Sequence, residues 1–190
     1  MNPIKKFLLL VQNKLRYVGK RVCVQSGTRI PWKCTISPSQ GGGVSIGKNC
    51  EFHDYALVLS YGGNIIIGDH CSINPFTVLY GHGGLKIGSG VRIAAHVVMV
   101  PANHTPGDEG KPLYQREVTA QGIEIGDYAW IGAGARILDG VRIGRHAIIG
   151  AGSVVNSDVP DYAIAAGVPA RVLSQREHGA DISSTWTDKK

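Results

Sequence analysis

The sequence predicts an all-β fold in which short strands, joined by turns, coil upward and stack as parallel sheets. Three observations predict it. From residue 125 an aliphatic side chain recurs every six positions, at Ile125, Ile131, Ile137, Ile143, Ile149 and Val155. The same register returns in shorter blocks, Ile46-Phe52-Val58, Ile67-Ile73-Leu79 and Ile87-Ile93-Met99. Glycine follows the repeat residue at Gly47, Gly68, Gly88, Gly126, Gly132, Gly144 and Gly150.

A period of six fits neither the 3.6 residues of a helical turn nor the alternation of a single strand. It fits three short strands per coil, each burying one aliphatic side chain, with coils stacking so that these side chains form continuous interior ladders. Between blocks the frame slips by a few residues, as loops at corners require. The glycines are expected to supply the backbone conformation of those corners.

Length and composition agree with one folded unit. The chain has 190 residues, 43% hydrophobic and 18% charged, which suits a globular protein with a single core. Cys23, Cys34, Cys50 and Cys71 form no C-x-x-C pair and are expected to be reduced packing thiols. The apolar run Phe7 to Val11 is too short for a signal peptide or a membrane span, so a cytoplasmic location is expected. A formal charge of +6 without interleaved aromatic residues argues against nucleic acid and suits a polyanionic small ligand or plain solvated charge.

Three segments organise the chain. Residues 1–20 hold an amphipathic helix, with Ile4, Phe7, Leu8, Val11 and Leu15 at helical spacing and Lys5, Lys6, Lys14 and Arg16 between them. It caps the first coil or touches a membrane face, possibilities the pattern leaves open. Residues 21–173 form the β-helix, interrupted by an inserted loop at 100–122, and residues 174–190 are a polar tail. The insertion breaks a strict repeat and deleting it would leave the coils continuous, so it is expected to serve function rather than packing. It opens with Asn103-His104-Thr105-Pro106, a histidine rooted on rigid structure where a general base belongs.

The stretch from Ile125 to Gly144, then Ile149-Gly-Ala-Gly-Ser-Val-Val, Asp158-Val-Pro and Ala166-Gly-Val-Pro-Ala-Arg, resembles the hexapeptide-repeat acyltransferases. Within them it is most similar to the galactoside, maltose and polysaccharide O-acetyltransferase branch. The resemblance covers roughly residues 44–173 and is most specific in the ending AGVPARVL. It implies a left-handed β-helix, a homotrimer with active sites between subunits, and acetyl-CoA as co-substrate lying along the outside of the coils. Handedness and trimer state come from the resemblance alone.

The resemblance puts the catalytic base at His104, with Asn103 fixing the loop and Asn74 near an active-site asparagine of relatives. Histidine, with an ordinary pKa of about 6.5, suits removal of a hydroxyl proton as the oxygen attacks a thioester. Asp108, Glu109 or Glu117 could orient it, and the oxyanion donor is expected to be a backbone N–H of a neighbouring coil. For the cofactor, the resemblance matches Trp130 to the acetyl end of the tunnel. Ala133 and Ala151 match the pantetheine arm, and Asn156, Ser157 and Arg171 the nucleotide end. Relatives often carry Thr-Lys at Asn156-Ser157, which leaves Arg142, Arg145 and Arg171 as the nearest basic replacements.

The expected activity is acetyl transfer to a sugar or small-alcohol hydroxyl. No helical N-terminal domain of the serine acetyltransferases and no Rossmann-like domain of nucleotide-sugar N-acetyltransferases precedes the repeats, which favours O-transfer. N-acetylation of an amino sugar or antibiotic is the alternative. A γ-carbonic-anhydrase-like metal site would need His82 and His96 beside His104, yet the H-x4-H spacing of those enzymes is missing and no metal is expected. His53, His70 and His146 are expected at surface turns.

Overall fold

The computed structural model describes residues 3–105 and 110–177. After helix α1 (Pro3–Arg16) the chain winds into a three-walled prism consistent with a left-handed β-helix. The first wall stacks Val22–Val24, Val44–Ile46, Ile65–Ile67, Leu85–Ile87, Ile123–Ile125 and Arg142–Ile143 in parallel. The second runs from Glu51–Phe52 through Ser72–Ile73, Arg92–Ile93, Trp130–Ile131 and Ile148–Ile149 to Ala163–Gly167, with Ala170–Gln175 added antiparallel. The third holds Thr35–Ser37, Leu57–Leu59, Val78–Tyr80, Val98–Met99, Arg136–Ile137 and Val154–Val155.

The six-residue register is the register of the walls. Ile46, Ile67, Ile87, Ile125 and Ile143 pair in succession up the first wall, and Phe52, Ile73, Ile93, Ile131 and Ile149 up the second. Val58, Leu79, Met99, Ile137 and Val155 do the same up the third. All of these are buried. Each such side chain contributes about 1.5–3 kcal/mol by leaving water, so no single coil is stable and the stack is.

The frame slips all occur at one corner. From first wall to second and from second to third, the ladder residues are always six apart; from third to first they are ten apart at Ile36–Ile46, nine at Val58–Ile67 and eight at Leu79–Ile87. The insertion enters at this same corner, between Met99 and Ile125. Above it the corner tightens to six residues, Ile137 to Ile143, and then to four, Val155 to Val159, which bridges Ile143.

The glycines after the ladder residues do a different job from the one expected. None of the seven has positive φ; the left-handed corner positions lie two residues later and are held by Asn49, His70, Tyr128 and His146, among others. The seven glycines instead lie where successive coils touch. A Cβ on Gly126 would stand 2.5 Å from the Arg145 nitrogen and 2.8 Å from the Gly144 carbonyl carbon, and one on Gly132 2.6 Å from the Ala151 nitrogen. The side chains at the left-handed positions stack between coils, Tyr128 on His146 at 5.0 Å and His146 on Tyr162 at 4.9 Å.

Helix α1 closes the lower end of the prism. Its inward face carries Asn13, which donates to the Thr28 carbonyl at 3.0 Å, and Tyr17, the residue after its end, is buried. Arg16 donates to the carbonyls of Pro31 at 3.0 Å and Cys34 at 2.8 Å. No described helix is long and apolar enough to cross a membrane.

Candidate active site

The insertion is built more regularly than a free loop. Asn103–His104 and Val118–Thr119 form an antiparallel pair, with Asn103 opposite Thr119 and His104 opposite Val118. Beyond the pair, Thr105 donates to the Glu117 carbonyl from both its backbone nitrogen and its hydroxyl, each at 3.0 Å. A 3-10 turn at Leu113–Gln115 follows on the returning leg, and the Arg116 side chain donates to the Lys111 carbonyl at 2.9 Å. The two legs are held at the prism by one residue of the coil below. Gly83 donates to the Pro101 carbonyl at 3.1 Å, and a Cβ on Gly83 would come within 2.5 Å of the Ala120 carbonyl carbon.

His104 therefore stands in the first strand of this hairpin, two residues after the chain leaves the third wall's corner, and it is exposed. An exposed imidazole on a backbone fixed by cross-strand bonds can accept a proton from a ligand held against the corner. Asn103 is exposed beside it; its carbonyl accepts from the Thr119 hydroxyl at 3.3 Å. Of the carboxylates considered for orienting His104, Asp108 and Glu109 lie outside the described residues. Glu117 sits next to Val118, the cross-strand partner of His104.

The remaining expected residues divide between two corners. Ala133 and Ala151 occupy the same position on successive coils at the second-to-third corner, tied by a bond from Gly152 to the Ala133 carbonyl at 2.8 Å, and both are exposed. Trp130 projects outward from the second wall, 46% exposed, in register with Arg92 below and Ile148 above. Arg171 pairs with Ala166 in the final hairpin near this edge, and its guanidinium donates to the Ala170 carbonyl at 2.8 Å. Asn74 belongs to the same corner, where its amide donates to the Ile93 carbonyl at 2.8 Å. Asn156 and Ser157 are exposed at the third-to-first corner, on the last coil above the insertion.

Within one chain the structure thus brings Trp130, Ala133, Ala151, Arg171 and Asn74 to one edge of the prism, and His104, Asn103, Asn156 and Ser157 to another. The third wall lies between. Of the substitute cations, Arg145 is held by Asp161 at 2.7 Å, and Arg142 lies 3.8 Å from Glu124 on the outside of the first wall. Arg171 is the one placed by the alanine row.

The histidines considered for a metal are also separated. His96 stacks on Phe76 at 5.0 Å on the second-to-third corner, whereas His82 stacks on Tyr61 at 4.8 Å on the third-to-first corner. Among the described residues no group of three or more His, Cys, Asp or Glu is arranged to hold a metal ion. The pair Tyr61–His82, with Tyr80 edge-on to Tyr61 at 5.1 Å, forms an aromatic cluster directly under the root of the insertion. His82 Nδ1 is buried there and has no hydrogen-bond partner among the described residues. Sequence reasoning missed this cluster; the signal was present in the matching offsets of Tyr61 and His82 after their ladder residues, three positions on from Val58 and Leu79.

Residues 122–157 match the family described as bacterial transferase hexapeptide (six repeats). Among solved structures, AntD, an N-acyltransferase from Bacillus cereus in complex with dTDP and 3-hydroxybutyryl-CoA, superposes with a TM-score of 0.73 at 27% identity, over 87% of this chain and 88% of that one. The polySia specific acetyltransferase NeuO superposes with a TM-score of 0.71 at 25% identity, over 86% of this chain and 70% of that one. The putative lipopolysaccharide biosynthesis O-acetyl transferase WbbJ of Escherichia coli is 26% identical over 99 residues, 48% of this chain and 50% of WbbJ. The chain spans about half or less of the length of such curated relatives. The resemblance to hexapeptide-repeat acyltransferases read from the AGVPARVL ending and the repeats is borne out by these matches.

Proposed function

We propose that this hexapeptide-repeat chain transfers the acetyl group of acetyl-CoA to a hydroxyl of a sugar, with His104 as general base. The observation that carries the reading is the hairpin that holds His104 out from the one corner where the repeat is interrupted. Acyl-CoA as donor is supported by AntD, whose structure holds 3-hydroxybutyryl-CoA on the same architecture.

In the reaction the imidazole of His104 takes the proton of the acceptor hydroxyl as its oxygen bonds to the thioester carbonyl carbon. The tetrahedral intermediate collapses with breakage of the carbon–sulfur bond. The imidazolium returns its proton to the departing thiolate, leaving free CoA and an O-acetyl ester. No acyl-enzyme forms. The exposed Ala133–Ala151 row offers a smooth backbone edge for an extended pantetheine arm, Trp130 an apolar wall near the acetyl group, and Arg171 a cation for phosphate. Asn156 and Ser157 contribute polar contacts at the nucleotide end.

We assign the active unit to a homotrimer. Asn74 and the alanine row lie at one edge of the third wall and His104 at the other, so one chain's donor edge must meet a second chain's hairpin to complete a site. Five outward side chains of the intervening wall, Leu57, Leu59, Val78, Val98 and Val154, are apolar and half-buried, with exposed Arg136 in register between the last two, a surface suited to a second copy. We place the chain in the cytoplasm, where acetyl-CoA is available.

WbbJ supports an O-linked acceptor in a polysaccharide or lipid-linked sugar, with a free sugar next. AntD supports a second reading, acyl transfer to an amino sugar. A thiol-release assay with acetyl-CoA against sugars, nucleotide sugars and amino sugars separates the two: release with hydroxyl acceptors is expected, and release confined to amino acceptors overturns O-transfer. His104→Ala should lower turnover by about a hundred- to ten-thousand-fold. Full activity in that variant would remove His104 from the mechanism.

A further inference from the structure

The chain's positive charge is concentrated at the end closed by α1. The first 50 residues hold nine Lys and Arg and no Asp or Glu, whereas the remaining 140 hold eleven against fourteen. The same end carries a second apolar face. Asn13 on α1, at 2% exposure, and Tyr17 just past its end, at 5%, face the coils, while Phe7, Leu8, Val11 and Leu15 project from the opposite side, continued past the helix end by Val18. Phe7 is 64% and Leu15 71% exposed, so packing against this chain's own coils does not account for them. On a helical wheel Lys14 borders this stripe on one side and Gln12 with Lys5 on the other. Trp32, 75% exposed, lies alongside the helix with the Arg16 guanidinium 5.0 Å from its ring centre.

We propose that the outward face of α1 docks the prism, end-on, onto an anionic lipid surface. The apolar stripe enters the boundary between headgroups and acyl chains while Lys5, Lys14, Lys20 and Arg21 meet lipid phosphates around it. Charge decides against the other occupants. A second copy would bring the same excess of cations, nine in residues 1–50 with only Glu51 and Asp54 beside them, against the first, and like charges repel. A nucleic acid would satisfy the lysines but give Phe7, Leu8 and Leu15 no apolar surface to bury. Three cations of this end are already engaged within the chain, Arg16 by backbone carbonyls, Arg29 by Glu51 at 3.1 Å and Lys33 over the Tyr55 ring at 5.3 Å, which leaves Lys5, Lys14, Lys20 and Arg21 for the surface. The inference is independent of the proposed reaction, since it uses no residue assigned to catalysis.

The test is co-sedimentation of the full chain with vesicles of phosphatidylcholine alone and of phosphatidylcholine with phosphatidylglycerol. Binding is expected to the anionic vesicles, weaker by about fivefold for each lysine replaced in Lys5→Gln and Lys14→Gln, and released by salt. The triple variant Phe7→Ser/Leu8→Ser/Leu15→Ser should lose binding with its circular dichroism and thermal midpoint unchanged, because these side chains are solvent-facing in the fold. No binding to anionic vesicles, or equal binding by the triple variant, overturns the proposal. A change of molecular mass in the triple variant, or binding of the parent chain to a DNA duplex in place of vesicles, overturns it in favour of a self-association face or a nucleic-acid face.

Discussion

Asn103 faces Thr119 across the base of the inserted hairpin, and the Thr119 hydroxyl donates to the Asn103 carbonyl at 3.3 Å. In an antiparallel ladder the residues exchanging backbone bonds alternate, and the bond from Thr105 to the Glu117 carbonyl puts Asn103 and Thr119 in the bonded set. Thr119→Pro removes one ladder donor one pair away from His104 without touching the prism. Turnover should fall by on the order of a hundredfold through misplacement of the imidazole. Steady-state kinetics beside a thermal midpoint check this: a midpoint near the parent's is expected, because none of the described residues from Asn103 to Thr119 is buried in the core.

The separation of Asn74 from His104 by the third wall makes a prediction about mixed assemblies. If each site takes its donor edge from one subunit and its hairpin from the next, Asn74→Ala and His104→Ala chains are each defective at every site alone. Co-refolded together, they should regain activity at about a quarter of the sites, those pairing an intact edge with an intact hairpin. Mixtures no more active than the separate variants would mean that each site is built within one chain.

The walls were legible in the sequence because a ladder position has one requirement, an apolar side chain every six residues, and that requirement is written at Ile125, Ile131, Ile137 and onward. The insertion was legible for the same reason, as a break in a strict period. Its internal pairing was not, since Asn103–His104 and Val118–Thr119 are too short and too polar to show alternation. Corner geometry was misread at the glycines. Sequence shows where glycine recurs but not whether it answers a dihedral or a close approach, and at Gly126 the approach of Arg145 and Gly144 decides. The candidate site residues of the two edges are interleaved in sequence, so only the folded prism separates them.

Gly126 and Gly134 put that distinction to a measurement. Gly134 has φ of 70°, and a Cβ added there would meet nothing nearer than 3.9 Å, so Gly134→Ala costs the left-handed penalty alone, about 1 kcal/mol. Gly126 has ordinary φ, but a Cβ there would press on backbone atoms of the next coil at 2.5–2.9 Å, which can be relieved only by moving two coils apart. Gly126→Ala should therefore cost about 1–3 kcal/mol. Denaturant unfolding of the two variants should rank Gly126→Ala as the more damaging.

The seam between α1 and the first coil predicts how the fold responds to alkali. Burial pushes the Tyr17 phenol from its ordinary 10.0 up to about 12, with nearby Arg16 pulling the other way. Burial likewise pushes the Cys34 thiol from 9.0 up to about 12, again opposed by Arg16. In both cases the folded chain keeps a proton that the unfolded chain releases, so their contribution is complete below about pH 9 and is lost as the pH rises toward 12. The thermal midpoint should fall across that window. Tyr17→Phe should flatten part of the fall without lowering the midpoint at neutral pH, because the Tyr17 hydroxyl is buried with no hydrogen-bond partner among the described residues, and removing it relieves a desolvated group. A Tyr17→Phe chain less stable at neutral pH than the parent would show that the hydroxyl has a partner in solution, and the docking of α1 would rest on it.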